Sequence, residues 1–172
     1  MTLAYVFWHR PRVDSAGYDA ALRAFHASLA DTDIPGFLGS WTARTSALPW
    51  LGDQPAYEDR YLLTDFTALG VLNEAAVAAQ RRAVHDAAAV RAADGIAGVY
   101  RLVGGTAGRS ATSASWFGKP DGRSYRDFLS DLDIGDGSLW QRQMTLGPTP
   151  EFQVTGLAPL AAAELQIDLA AL

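Results

Sequence analysis

Apolar and polar positions change their period several times along the chain, and each change marks an element. Leu3–Arg10 is an apolar, aromatic run closed by Pro11, the pattern of a strand. Tyr18, Leu22, Phe25 and Leu29 then recur at spacings of 4, 3 and 4, which predicts a helix of about 16 residues with one buried stripe. Asp14 or Ser15 precedes it as a cap, because a short side-chain oxygen accepts from the unpaired amides of the first turn. Ile34-Pro35-Gly36 breaks the chain. Phe37–Ala47 and Tyr57–Thr64 read as strands, and Leu48–Ala56, with two Pro and one Gly, reads as the loop between them. Asp65 or Thr67 caps a long Ala-rich helical region that runs to Asp94 with a break within Gln80–His85, and Gly95 stops it. Ile96–Val103 is a fourth strand.

Residues 105–113, GTAGRSATS, are small and polar and read as a linker. Beyond it the order starts again. Ala114–Phe117 is a strand, and Asp121 or Ser124 caps a short helix that carries Tyr125, Phe128, Leu129 and Leu132. Ser138–Leu146 and Glu151–Thr155 are strands. Ala158–Leu165 reads as a helix, with Gln166–Leu172 as an optional closing strand. Phe7-Trp8-His9-Arg10-Pro11 matches Trp116-Phe117-Gly118-Lys119-Pro120, Tyr18 and Leu22 match Tyr125 and Leu129, and Trp41 matches Trp140. The chain therefore reads as two α+β units, 1–104 and a trimmed 114–172. The first follows the strand, helix, strand, strand, helix, strand order of a ferredoxin-like (split βαβ) unit, and the second repeats strand, helix, strand, strand, helix in trimmed form.

Composition narrows the function. A net charge of −5 argues against nucleic acid or an anionic membrane as the main partner. No apolar run approaches the roughly 20 residues that cross a bilayer. The N-terminal run is too short, and lacks the basic start, for a signal peptide, so the expected location is cytoplasmic. With no Cys, thiolate catalysis and Cys-ligated metals are excluded, and the three His lack metal-site spacing. No cofactor or metal is therefore expected.

The duplicated order resembles the dimeric α+β barrel superfamily, here fused in tandem so that two sheets pack face to face. The first half is similar to its EthD-like branch, in which a strand ending in a basic residue and Pro leads to a helix with an aromatic-His-x-x-Leu pattern. In this chain those residues are Arg10-Pro11, Tyr18, then Phe25-His26-x-x-Leu29. The superfamily includes cofactor-free monooxygenases, polyketide cyclases, EthD-type proteins and haem-binding relatives of chlorite dismutase. The resemblance implies the fold more firmly than an activity. A fused pair closes its own barrel, so a monomer or weak homodimer is expected.

Strand alternation sorts the candidate residues. It puts Glu58, Arg60, Arg101, Gln141 and Gln143 on the face opposite the helices, lining the barrel interior. It puts Tyr5, Phe7 and His9, together with Trp41, on one face. Aromatic walls with a few polar groups make a small-molecule site. His9 and His26 are the candidate bases, since imidazole titrates near neutrality. Arg60 or Arg101 would anchor an anion, or Arg60 would pair with Glu58. Glycine stands at 118 where the first half has His9, so the first half is the better candidate for a site. The leading expectation is a small-molecule protein, a cofactor-free oxygenase, cyclase or isomerase acting on an apolar or aromatic ligand. The alternatives are a non-catalytic binding or scaffold protein presenting Trp50 to a partner, and a haem protein with His85 as ligand.

Overall fold

The computed structural model describes residues 1–12, 15–108, 111–144, 146–161 and 163–172, with backbone only at 15 and 16. The elements run β1 (Leu3–Pro11), α1 (Ser15–Ala30), β2 (Phe37–Leu48), β3 (Gly52–Leu63), α2 (Phe66–Ala76), α3 (Arg82–Ala89) and β4 (Ala92–Gly104). After these come β5 (Ser113–Phe117), α4 (Tyr125–Ser130), β6 (Ser138–Arg142), β7 (Phe152–Gly156) and β8 (Leu165–Ala171). The eight strands close into one barrel in the order β4-β1-β3-β2-β8-β5-β7-β6, with β6 returning to β4. Every neighbouring pair is antiparallel.

Closure removes every sheet edge and gives each strand an inner and an outer face. On β1, Ala4, Val6 and Trp8 turn inward and join Trp116, Trp140, Tyr100, Leu62 and Ile167 in the central core. The outer face meets the helices. The expected α1 stripe forms there, with Tyr18, Leu22, Phe25 and Leu29 all buried. Leu3, Phe25, Leu29, Tyr61, Leu63 and Leu72 make one outer cluster under α1 and α2. A second lies under α4, where Phe117, Phe128, Leu139 and Phe152 pack together.

Helix starts follow local chemistry. Asp65 accepts from the Ala68 amide at 2.9 Å and caps α2. Ser124, not Asp121, caps α4 through the Asp127 amide at 3.1 Å. The Asp14 cap expected for α1, and the Ser15 side chain, lie outside the described residues. Arg81 ties the helices together: its guanidinium donates to the Ser28 and Ala75 carbonyls at 3.0 and 2.8 Å, where cations suit helix C-termini.

Three boundaries differ from the sequence expectation. The loop at 48–56 is shorter, because the β2–β3 pairing continues through Thr45–Ala56 and resumes at Leu48–Gly52. The break in the long helical region falls at residues 77–81, and Gly95 is not a helix stop. It lies inside β4 opposite His9, where an added Cβ would fall 2.4 Å from the Phe7 ring. Among the described residues of 158–164 there is no helix. The tail instead pairs as β8 with both β2 and β5, since only a strand there completes the ring. No helix among the described residues is long and apolar enough to cross a membrane.

Candidate functional site

The same alternation that fills the barrel with tryptophan leaves Tyr5, Phe7 and His9 on the outer face of β1. Asp59 and Tyr61 of β3 are their neighbours: Tyr5 stands opposite Tyr61 and Phe7 opposite Asp59. Above them α1, α2 and α3 do not close completely. A cavity of about 620 Å³ remains between helices and sheet. Its sheet side is Tyr5, Phe7, His9, Asp59 and Tyr61. Its helical side is Tyr18, Leu22 and Phe25 of α1, with Phe66, Leu69, Leu72 and Val77 at α2 and His85, Ala88 and Ala89 of α3. Phe66 and Val77 are exposed. The size falls within the range of small-molecule sites.

The polar groups converge on Asp59, which is 3 % exposed. His9 Nε2 lies 3.2 Å from its Oδ2, and His26 Nε2 lies 3.3 Å from its Oδ1. Neither contact has the directionality of a hydrogen bond, so both are close polar contacts. Tyr61 donates to Oδ2 at 3.2 Å. On the far side of His9, the Tyr18 hydroxyl meets Nδ1 at 2.6 Å. On the far side of His26, Nδ1 meets Ser40 Oγ at 2.7 Å. Aromatic rings fix both imidazoles: Tyr57 stacks on His9 with ring centroids 5.7 Å apart, and Tyr61 on His26 at 5.2 Å.

Electrostatics follow from the burial. Desolvation alone would raise the Asp59 pKa, but the interactions with His9 and then His26 together outweigh it and hold the carboxyl well below its usual range. Burial first, and the Asp59 charge second, push the Tyr18 and Tyr61 phenols up. Both therefore stay protonated and act as donors. Tyr57 is held elsewhere, donating to Asp19 at 2.8 Å, and Arg44 covers the other oxygen of that carboxylate.

The residues singled out from the sequence separate into three places. Tyr5, Phe7 and His9 line the outer cavity, and His26 stands just behind it on Asp59. Glu58 and Arg60 lie inside the barrel, as expected, and pair with each other: Arg60 Nη2 donates to Glu58 Oε1 at 2.9 Å and to Gln153 Oε1 at 2.7 Å. Arg60 also lies 5.5 Å over the Trp140 ring, and Trp8 donates to Glu58 at 2.9 Å. Trp41 pairs opposite Arg60 and packs on this interior core, away from the face of Tyr5, Phe7 and His9. Arg101, Gln141 and Gln143 do not line the interior. On β4 and β6 the inward positions belong to Tyr100, Leu102 and Trp140. Arg101 therefore pairs opposite Gln141 on the outside, 3.3 Å from its carbonyl oxygen, while Gln141 donates to Glu151.

Asp59 and Tyr18 are the residues that the sequence reading missed as site members. The signal for Asp59 was its position between Tyr57 and Tyr61, a carboxylate on the aromatic face of a strand. His85 borders the cavity, with its Nδ1 2.9 Å from Asp86.

No protein-family model matches the sequence, and comparison with curated proteins gives no match. Among solved structures the fold is similar to the crystal structure of a protein from Fusobacterium nucleatum subsp. nucleatum named "Putative monooxygenase". The TM-score is 0.66 at 9% identity, over 99% of this chain and 92% of that one. At that identity the likeness shows a shared fold: a mixed α+β chain built on a closed, antiparallel eight-stranded barrel.

Proposed function

We propose that the protein binds an apolar, hydroxylated aromatic molecule in the outer cavity and oxidises it with dioxygen without a cofactor. One observation carries this reading: a mainly apolar cavity in which Tyr18, His9 and Asp59 form a continuous polar chain. With the proton of neutral His9 on Nε2, facing the carboxylate, Nδ1 accepts from Tyr18. The Tyr18 oxygen then takes the proton of a ligand hydroxyl as it passes its own to His9. The resulting ligand anion is electron-rich enough to react with dioxygen. In that reaction the ring methylene of the ligand's keto tautomer, which gives the same anion, and O₂ yield a carbonyl and water, so the substrate supplies all the electrons. Asp59 orients His9 and balances the imidazolium that forms. Among the described residues no Arg or Lys lines the cavity, which favours a ligand that enters neutral.

In this reading the barrel is a tandem of two ferredoxin-like units of the dimeric α+β barrel type, EthD-like in its first half, with units at 1–104 and 114–172. The strand orders support it: β4-β1-β3-β2 in the first stretch and β8-β5-β7-β6 in the second are the same permutation. The first unit carries the cavity. The fold shared with the Fusobacterium protein, whose name is that of a monooxygenase, agrees with this.

The test is a panel of hydroxynaphthalenes and hydroxyanthracenes, followed by fluorescence for binding and by an oxygen electrode for uptake. Saturable binding with oxygen uptake is expected for the wild type, with uptake lost in Asp59→Asn. Failure of the wild type to bind any of them would overturn the reading.

A further inference from the structure

The proton taken from the ligand must leave the cavity. His9, Tyr18 and Asp59 line that cavity, whereas His26 and Ser40 are not among its lining residues. They continue the same chain outward. Asp59 presents one oxygen to each imidazole, Oδ2 to His9 at 3.2 Å and Oδ1 to His26 at 3.3 Å. His26 then meets Ser40 Oγ at 2.7 Å. Ser40 lies on β2 and is half-buried, so its hydroxyl stands between the interior and the surface. The path therefore has an inner end on the cavity and an outer end towards water.

We propose that His26 and Ser40 are the proton outlet of the cavity, with His26 giving up a proton whenever His9 gains one. This rests on the functional reading above. The reason is charge balance. One buried carboxylate compensates one imidazolium, and a second positive charge beside it would stand uncompensated at a buried site, which is costly. The groups that face His26 are Asp59 and Tyr61 from β3, Ser40 from β2 and the Phe25 ring from α1. The only charge among them is that of Asp59. The proposal places that one imidazolium at His26 at rest, on the side of the carboxylate away from the cavity, so that His9 Nδ1 is open to a proton from Tyr18. When the ligand's O–H bond breaks, its proton goes to the Tyr18 oxygen and the Tyr18 proton goes to His9 Nδ1. The His26 Nδ1 proton then passes to Ser40 Oγ and on to water. One proton leaves the ligand and one reaches solvent at this step, and one returns along the same path when the reduced oxygen becomes water, so the turnover releases no net proton. His26 is a positioning and relay residue, since it acts on the ligand only through Asp59 and His9.

The probe is 4-nitrophenol, whose phenolate absorbs visibly, mixed rapidly with the protein in weak buffer holding a pH indicator. In the wild type, phenolate formation and proton release are expected to share one rate. In His26→Gln, release should be slowed about tenfold or more, and added imidazole should restore it. Ser40→Ala keeps both histidines on the carboxylate, guards against a folding failure of His26→Gln, and should slow release in the same rescuable way. Release within about twofold of wild type in either variant, or slowed release that imidazole leaves unchanged, overturns the outlet while the cavity reading stands. If the wild type forms no phenolate, the cavity reading fails and the outlet fails with it.

Discussion

Trp8 and Glu58 face each other across β1 and β3 and meet inside the barrel, where the indole N–H donates to the carboxylate at 2.9 Å. Their chain neighbours, His9 and Asp59, meet outside it at 3.2 Å. Two adjacent dipeptides thus divide their work between the two faces of one sheet. The inner pair belongs to the core and the outer pair to the cavity. This separation lets the two roles be tested independently.

Asp59→Asn should lower stability by about 2 kcal/mol at neutral pH, because it removes a charged partner from two buried imidazoles. The pH dependence has a definite sign. The folded carboxyl is held below its usual value of about 3.9, so the folded state binds this proton more weakly than the unfolded chain. The contribution is complete above that value and is lost as pH falls below it. Urea midpoints for wild type and variant should therefore converge below about pH 4. A gap that stays constant down to pH 2 would contradict this.

Tyr18→Phe should fold, losing about 1–3 kcal/mol as His9 Nδ1 is left buried without its donor. Turnover, or phenolate formation with a nitrophenol, should fall roughly a hundredfold, the lower range for a lost proton-transfer group. Ligand affinity, measured separately by fluorescence, should change far less than the rate.

Gly70 lines the cavity from α2, and a Cβ built there meets nothing within 4 Å. Gly70→Ala should therefore raise stability by about 0.5–1 kcal/mol, the ordinary gain inside a helix. Gly70→Leu should fill the space and abolish ligand binding while the protein stays folded. Calorimetry and a binding titration on the two variants separate these effects. Undiminished binding in Gly70→Leu would move the ligand site elsewhere.

Arg60→Met leaves Glu58 uncompensated in the barrel and should cost about 3–5 kcal/mol. The double variant Glu58→Leu, Arg60→Met should recover most of that, since apolar replacement of a buried pair is often close to neutral. Denaturant unfolding measures both. Neither change touches the outer cavity, so ligand affinity of the folded double variant should match wild type.

The strand and helix order was legible because each element declares its period locally. The α1 stripe and the Pro-ended first strand needed no tertiary information. The closing strand β8 was harder: Ala158–Leu165 has helix-forming composition, and the demand for an eighth strand arises only from closure. The faces were harder still. The sequence reading took the helix-covered face to be the apolar one and sent Glu58, Arg60 and Arg101 inward. In the structure the interior is filled by Trp8, Trp116 and Trp140, and charges occupy both sides of β3: Glu58 and Arg60 inside, Asp59 outside. His9 and His26 are 17 positions apart in sequence, on a strand and a helix, and only the shared carboxylate brings them together. No local pattern announces such a meeting.

The Arg60 bond to Gln153 joins residues 93 positions apart in sequence. It acts with two seams, β2 to β8 and β4 to β6, that also join early strands to late ones. The peptide between β4 and β5 is therefore not what holds the ring shut. A protease cut in that connection should yield two fragments that migrate together until denatured, and the fragments made separately should find each other in solution and rebuild the cavity.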